Sequence, residues 1–87
     1  MTGYGKICSD ISWNKIVTVG ECKTAVEDLG LSYHGTTHSD YQSGCYAYQE
    51  QYAYFNTKEH DKGHPAGNAI CKQGVYQFIH NQSSSNI

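Results

Sequence analysis

The sequence predicts an α+β fold: one α-helix packed on a small antiparallel β-sheet of about four or five strands, held by two disulfides. Three observations predict it. Cys8, Cys22, Cys45 and Cys71 are spread along the 87 residues with no two at C-x-x-C spacing. The stretch from Thr18 to Leu31 carries apolar residues at helical period and has both ends marked. The stretch "GCYAYQEQYAYFNT" at 44–57 alternates small and aromatic residues on either side of a short polar connection.

Residues 1–10 read as an extended entry segment, with Gly3-Tyr4-Gly5 followed by Lys6-Ile7-Cys8. Ile11 to Ile16 leads into the clearest element. Thr18-Val19-Gly20-Glu21 matches a capping box, with Thr18 as N-cap and Glu21 reaching back. Val19, Cys22, Val26 and Leu29 then share one helical face with Ala25, while Lys23, Thr24, Glu27 and Asp28 fill the other. Gly30 suits the position after the C-cap and Leu31 can close the end, so a helix is expected over 19–29. Residues 32–44 are polar and read as a loop. Cys45 to Tyr48 and Tyr52 to Asn56 form an antiparallel hairpin around Gln49-Glu50-Gln51, which lacks the usual Asn/Gly turn residues. Residues 57–69, with the only proline, read as a second loop, and Ile70-Cys71-Lys72 resumes extended structure. Val75 to Ile79 reads as a last strand before a serine-rich tail. The expected division is a stapled domain over 1–72 and a C-terminal strand with polar tail over 73–87.

Composition narrows the function. A chain of 87 residues gains only a few kcal/mol from its core alone, so cross-links are expected. An even number of widely spaced cysteines in so small a domain favours two disulfides and an oxidising, extracellular setting. All six basic residues are lysines, they form no cluster, and the net charge is −2, which argues against nucleic acid as partner. No apolar run approaches a membrane span. Serines stand outside any nucleophile-elbow context, and disulfide pairing removes a thiol nucleophile, so a non-catalytic role is expected and no cofactor is implied.

The order of an early cysteine, "TVGEC" opening a helix, "GCYAY…YFNT", a polar loop and "ICK" resembles a small extracellular module that recurs, often in tandem, in proteins of algae and other protists. The resemblance covers residues 3–72, and the "GCYAY…YFNT" part is its most specific portion. More distantly the chain is similar to PAN/apple domains, in which one helix lies on a curved antiparallel sheet and the helix cysteine is bonded to a sheet cysteine. Four cysteines allow three pairings. The resemblance implies Cys22–Cys45, leaving Cys8–Cys71 to tie the first and last strands. It also implies binding of proteins or glycans.

With Cys45 turned toward Cys22, Cys45 and Ala47 face the helix, and Ala53 and Phe55 pair with that side. Tyr46, Tyr48, Tyr52 and Tyr54 are then left as a four-tyrosine patch on the opposite face. Such a patch serves as a glycan platform or a protein interface, or else a loop or the tail covers it. In "VYQFIH", Tyr76 and Phe78 alternate with Val75, Gln77 and Ile79, as in a strand that completes its own sheet or adds to a neighbour's. The leading expectation is therefore a secreted structural module that associates with copies of itself into a filament or matrix through its terminal strands and tyrosine face. The alternative is an adhesion domain that binds glycans or extracellular proteins. Two histidine pairs at i, i+4 spacing, His34/His38 and His60/His64, could chelate a metal if their loops met, but read most simply as solvated loop residues. Asn81-Gln82-Ser83 is a glycosylation sequon.

Overall fold

The computed structural model describes residues 6–49, 51–59, 63–64 and 66–79. A 3-10 turn at Cys8–Ile11 is followed by β1 (Asn14–Lys15), α1 (Val19–Asp28), β2 (Ser32–Thr37), β3 (Gly44–Tyr48), β4 (Tyr52–Asn56), β5 (Gly67–Lys72) and β6 (Tyr76–Phe78). The strands form one sheet in the order β1-β5-β3-β4-β2, with β6 paired to β5.

The helix starts and stops where its sequence signals place it. Thr18 Oγ1 accepts from the Glu21 N–H at 3.2 Å. At the other end Gly30 takes a φ of 73°, and the Leu31 N–H returns to the Val26 carbonyl at 2.9 Å. These bonds satisfy orphan groups at both ends. The reciprocal arm of the capping box does not form. The Glu21 carboxylate instead accepts from Lys72 Nζ at 2.8 and 2.9 Å and from the Tyr76 hydroxyl at 3.2 Å. A capping residue has become a tie between the first helical turn and the β5–β6 hairpin.

The sheet is mixed rather than antiparallel. β2 pairs in parallel with β4, against the expectation of a loop over 32–44. Ser32-Tyr33-His34-Gly35-Thr36-Thr37 hides its strand character because it lies at the sheet edge. Tyr33, Gly35 and Thr37 are half-buried, while Ser32, His34 and Thr36 are exposed. The register shifts between Tyr33 and Gly35, a bulge of the kind that blunts an edge. β5 likewise begins at Gly67, earlier than expected, and the end of the entry segment, from Cys8, forms a 3-10 turn instead of extended chain.

Both faces of the sheet carry packed residues. On the helix side, Cys22, Ala25 and Val26 of α1 bury against Cys45, Ala47, Ala53, Ile70 and Ile16, with Tyr33, Phe55, Tyr76 and Phe78 around them. On the other side, Cys8, Ala69, Cys71 and Ile79 form a smaller cluster under Trp13. One disulfide belongs to each core: Cys22–Cys45 and Cys8–Cys71, the pairing the resemblance implies. β6 joins the same sheet, so the described part of the expected C-terminal segment belongs to the stapled domain.

Candidate functional site

The period-two alternation of β3 and β4 sorts the hairpin by side-chain size. The cross-strand pair Ala47↔Ala53 faces the helix, and the pairs Tyr46↔Tyr54 and Tyr48↔Tyr52 face away. The hairpin closes through the Gln51 N–H to the Tyr48 carbonyl at 3.2 Å, with Gln49 at a φ of 57°.

Two flat strands make no concavity. The concavity comes from residues 39–42, which rise beside the tyrosines and are held there by two buried carboxamides. Asn56 donates from Nδ2 to the carbonyls of Ser39, Tyr41 and Gln42 at 3.0, 2.8 and 3.2 Å. Its Oδ1 accepts from the N–H groups of Ser39 at 3.1 Å and Lys58 at 3.2 Å. Gln42 is buried and donates from Nε2 to the carbonyls of Lys6, His64 and Gly67 at 3.2, 3.1 and 2.8 Å. Glycine at 67 leaves room for this wall, because a Cβ there would run into the Gln42 carboxamide and the Tyr41 ring.

So held, Tyr41 lies over the sheet. Its ring stacks on Tyr46 with centroids 5.1 Å apart and on His64 at 4.0 Å, and meets Tyr48 edge-on at 6.0 Å. Tyr46 in turn stacks on Tyr54 at 5.6 Å, and His34 flanks Tyr54 at 5.8 Å and Tyr52 at 5.1 Å. The result is a row of rings, His64–Tyr41–Tyr46–Tyr54–His34. Within it lies an open cleft of about 350 Å³ lined by Thr37, Ser39, Tyr41, Tyr46, Tyr48 and Tyr54. Thr37 Oγ1 and the Tyr46 hydroxyl are 3.5 Å apart. Burial, and then the phenols of Tyr48, Tyr46 and Tyr54, push the Tyr41 hydroxyl above the ordinary tyrosine range. At neutral pH Tyr41 therefore remains a neutral phenol, able both to donate and to accept.

The expected patch is thus drawn together in part. Tyr46 is only 3% exposed and forms the floor. Tyr48 and Tyr54 are half-buried and line the cleft, whereas Tyr52 contacts His34 outside it. Tyr76 and Phe78 pack on the helix side of the sheet, away from the tyrosine face. Burial and the Glu21 carboxylate raise the Tyr76 hydroxyl above its ordinary range. Of the described histidines, His34 and His64 end the ring row, and His38 Nδ1 lies 3.3 Å from Thr57 Oγ1. Among the described residues no three His, Cys, Asp or Glu side chains form a group that could hold a metal. His60 and Asn81 lie outside the described residues.

Tyr41, Thr37 and Ser39 were not expected in the site. The available signal was the tyrosine in "HSDYQSG", a bulky ring in an otherwise polar run whose partner is invisible without the fold. No family model matches the chain, and the comparisons with curated proteins and with solved structures find no match either. Fold and site alone define its class: a small disulfide-stapled α+β domain carrying an aromatic cleft on the face opposite its helix. No helix among the described residues is long and apolar enough to cross a membrane.

Proposed function

We propose that the protein is a secreted, non-catalytic module that binds a carbohydrate in the tyrosine cleft. The observation that carries this reading is the composition of the cleft: four phenol rings and two aliphatic hydroxyls around about 350 Å³. Tyrosine rings offer apolar faces to the C–H faces of a sugar, and their hydroxyls exchange hydrogen bonds with sugar hydroxyls. The volume falls in the range of small-ligand sites. Among the described residues none that lines the cleft is a carboxylate, and all four cysteines are in disulfides, which fits binding rather than turnover. Two disulfides fit an oxidising compartment.

Self-association through terminal strands has less support. Residues 1–5 and 80–87 lie outside the described residues, and β6 is paired within its own chain. The free edge of β2 is bulged.

The test is retention on an array of neutral and charged glycans, followed by calorimetry on the best ligand. Tyr48→Ala should weaken binding at least about tenfold, about 1.4 kcal/mol, and Tyr48→Phe should show the share due to its hydroxyl. Binding unchanged in Tyr48→Ala, or no glycan retained at all, sinks the reading. Sedimentation velocity over a concentration series then reads self-association directly.

A further inference from the structure

A second recess, of about 240 Å³, lies on the same side of the sheet. The two hollows share a wall: Tyr41 lines the cleft, and the next residues, Gln42 and Ser43, line the recess. Beneath the wall, Tyr46 of the cleft stands directly opposite Ala69 of the recess in the β3–β5 register. Neighbouring strands lie about 4.8 Å apart, so the floors of the two hollows are adjacent.

The recess differs from the cleft in chemistry. Trp13, the only tryptophan in the chain, rests on the core of Cys8, Cys71 and Ala69 and gives an aromatic wall. Beside it Lys15 brings a cation, which the described lining of the cleft does not. Lys15 Nζ donates to Ser43 Oγ at 3.3 Å and lies 3.6 Å from the Glu59 carboxylate. That carboxylate is 86% exposed, so the contact is a weak, solvent-screened pair. An ammonium has three donors in a movable group, and a ligand carboxylate can take the place of Glu59. Asn14 and Ser9 add polar groups to the rim.

We propose that this recess is a second subsite that takes an acidic sugar unit, a uronate, of the same oligosaccharide whose neutral portion lies in the tyrosine cleft. The proposal rests on the carbohydrate reading above. Trp13 packs against the ring of the uronate and Lys15 meets its carboxylate. Glu59 covers the ammonium until the ligand arrives.

Because Trp13 is the only tryptophan, its emission reports on this recess and not on the tyrosines. The full chain is titrated with uronate tetrasaccharides (galacturonate, mannuronate and hyaluronan types) and with their methyl esters, which keep the ring and lose the charge. The acids should shift Trp13 emission saturably and bind about fivefold tighter than the esters, the fold-change of an exposed ion pair. Lys15→Gln should bring the acid down to the affinity of the ester. Glu59→Gln, an exposed change that leaves the fold intact, should tighten the acid by about twofold to fivefold and leave the ester as it was. Equal binding of acid and ester overturns the subsite, as does a Trp13 signal that no uronate moves. If neutral glycans still bind with Tyr48 dependence, only the subsite falls; if no glycan of either kind binds, both readings fall.

Discussion

Replacing Gly67 by alanine tests whether the wall of the cleft is held as described. A Cβ at this position would meet the Gln42 carboxamide and, at 2.8 Å, Cδ2 of Tyr41. Neither neighbour yields easily. Gln42 is tied to three carbonyls, and Tyr41 is stacked between His64 and Tyr46 while its own carbonyl is held by Asn56. Overpacking of this kind costs about 1–3 kcal/mol. The stiffer unfolded chain offsets about 0.4–1 kcal/mol of it. The net loss is about 1–2 kcal/mol, which lowers Tm by roughly 5–15 °C in a domain of this size. Gly20 is the internal control: in α1 with nothing within 4 Å of a Cβ, Gly20→Ala should stabilise by about 0.5–1 kcal/mol. The assay is paired thermal unfolding, with near-ultraviolet circular dichroism to follow the tyrosines. Gly67→Ala should also dull the tyrosine signal and weaken glycan binding. A Gly67→Ala protein as stable as Gly20→Ala, with its tyrosine spectrum intact, would refute the packing of Gln42 and Tyr41 over this strand.

Gln49 occupies the left-handed region at a φ of 57°, which an L side chain adopts at a cost of about 1–2 kcal/mol. Gln49→Gly should therefore raise stability by about 0.5 kcal/mol after glycine's own entropy is counted, read as a higher Tm with the hairpin unchanged. The hydrogen bond from Lys72 is the main cause of a Glu21 pKa below its ordinary value, assisted by the Lys72 charge and the Tyr76 hydroxyl. A lowered carboxyl pKa gives stability that is present above the ordinary glutamate range and lost as pH falls through the folded-state value. Glu21→Gln should therefore be less stable at neutral pH and lose less on acidification below about pH 4.5, seen in urea midpoints against pH. Loop entropy ranks the disulfides: a separation of 63 residues makes Cys8–Cys71 worth about 4 kcal/mol, and a separation of 23 makes Cys22–Cys45 worth about 3.5 kcal/mol. Paired serine replacements measured by urea denaturation check the order.

Helix α1 was legible because its information is local: Thr18 at one end, Gly30 at the other and a single apolar face between them. The hairpin faces were legible for a similar reason, since alternation and one disulfide decide which side Ala47 and Tyr46 take. β2 was not, because an edge strand needs only one covered face, and Tyr33 is the one apolar residue it supplies. Nor could the fate of Glu21 be read: its carboxylate chose Lys72, 51 positions away, over the helix N-terminus three positions back. The site shows the same limit. Tyrosines on the strands could be assigned a face, but the ring that turns them into a cleft arrives from a loop whose position depends on Asn56 and Gln42.

Those two carboxamides bear on what the face is for. Covering Tyr46 alone would need only an apolar side chain from any nearby loop. Here residues 39–42 are ordered instead, against about 1–2 kcal/mol of backbone entropy per residue, and Asn56 offsets this with bonds to both sides of the segment. What the ordered segment presents is a fourth phenol, held where burial and its neighbours disfavour its ionisation. The Gln42 carboxamide oxygen is buried in the same wall without a hydrogen-bond partner among the described residues. Ordering the segment and burying that oxygen both cost stability that an apolar cover would not, and such departures from local economy are expected at functional sites. The wall also separates phenols on one side from Trp13 and Lys15 on the other, so a single ordered segment shapes two hollows whose described linings differ in chemistry.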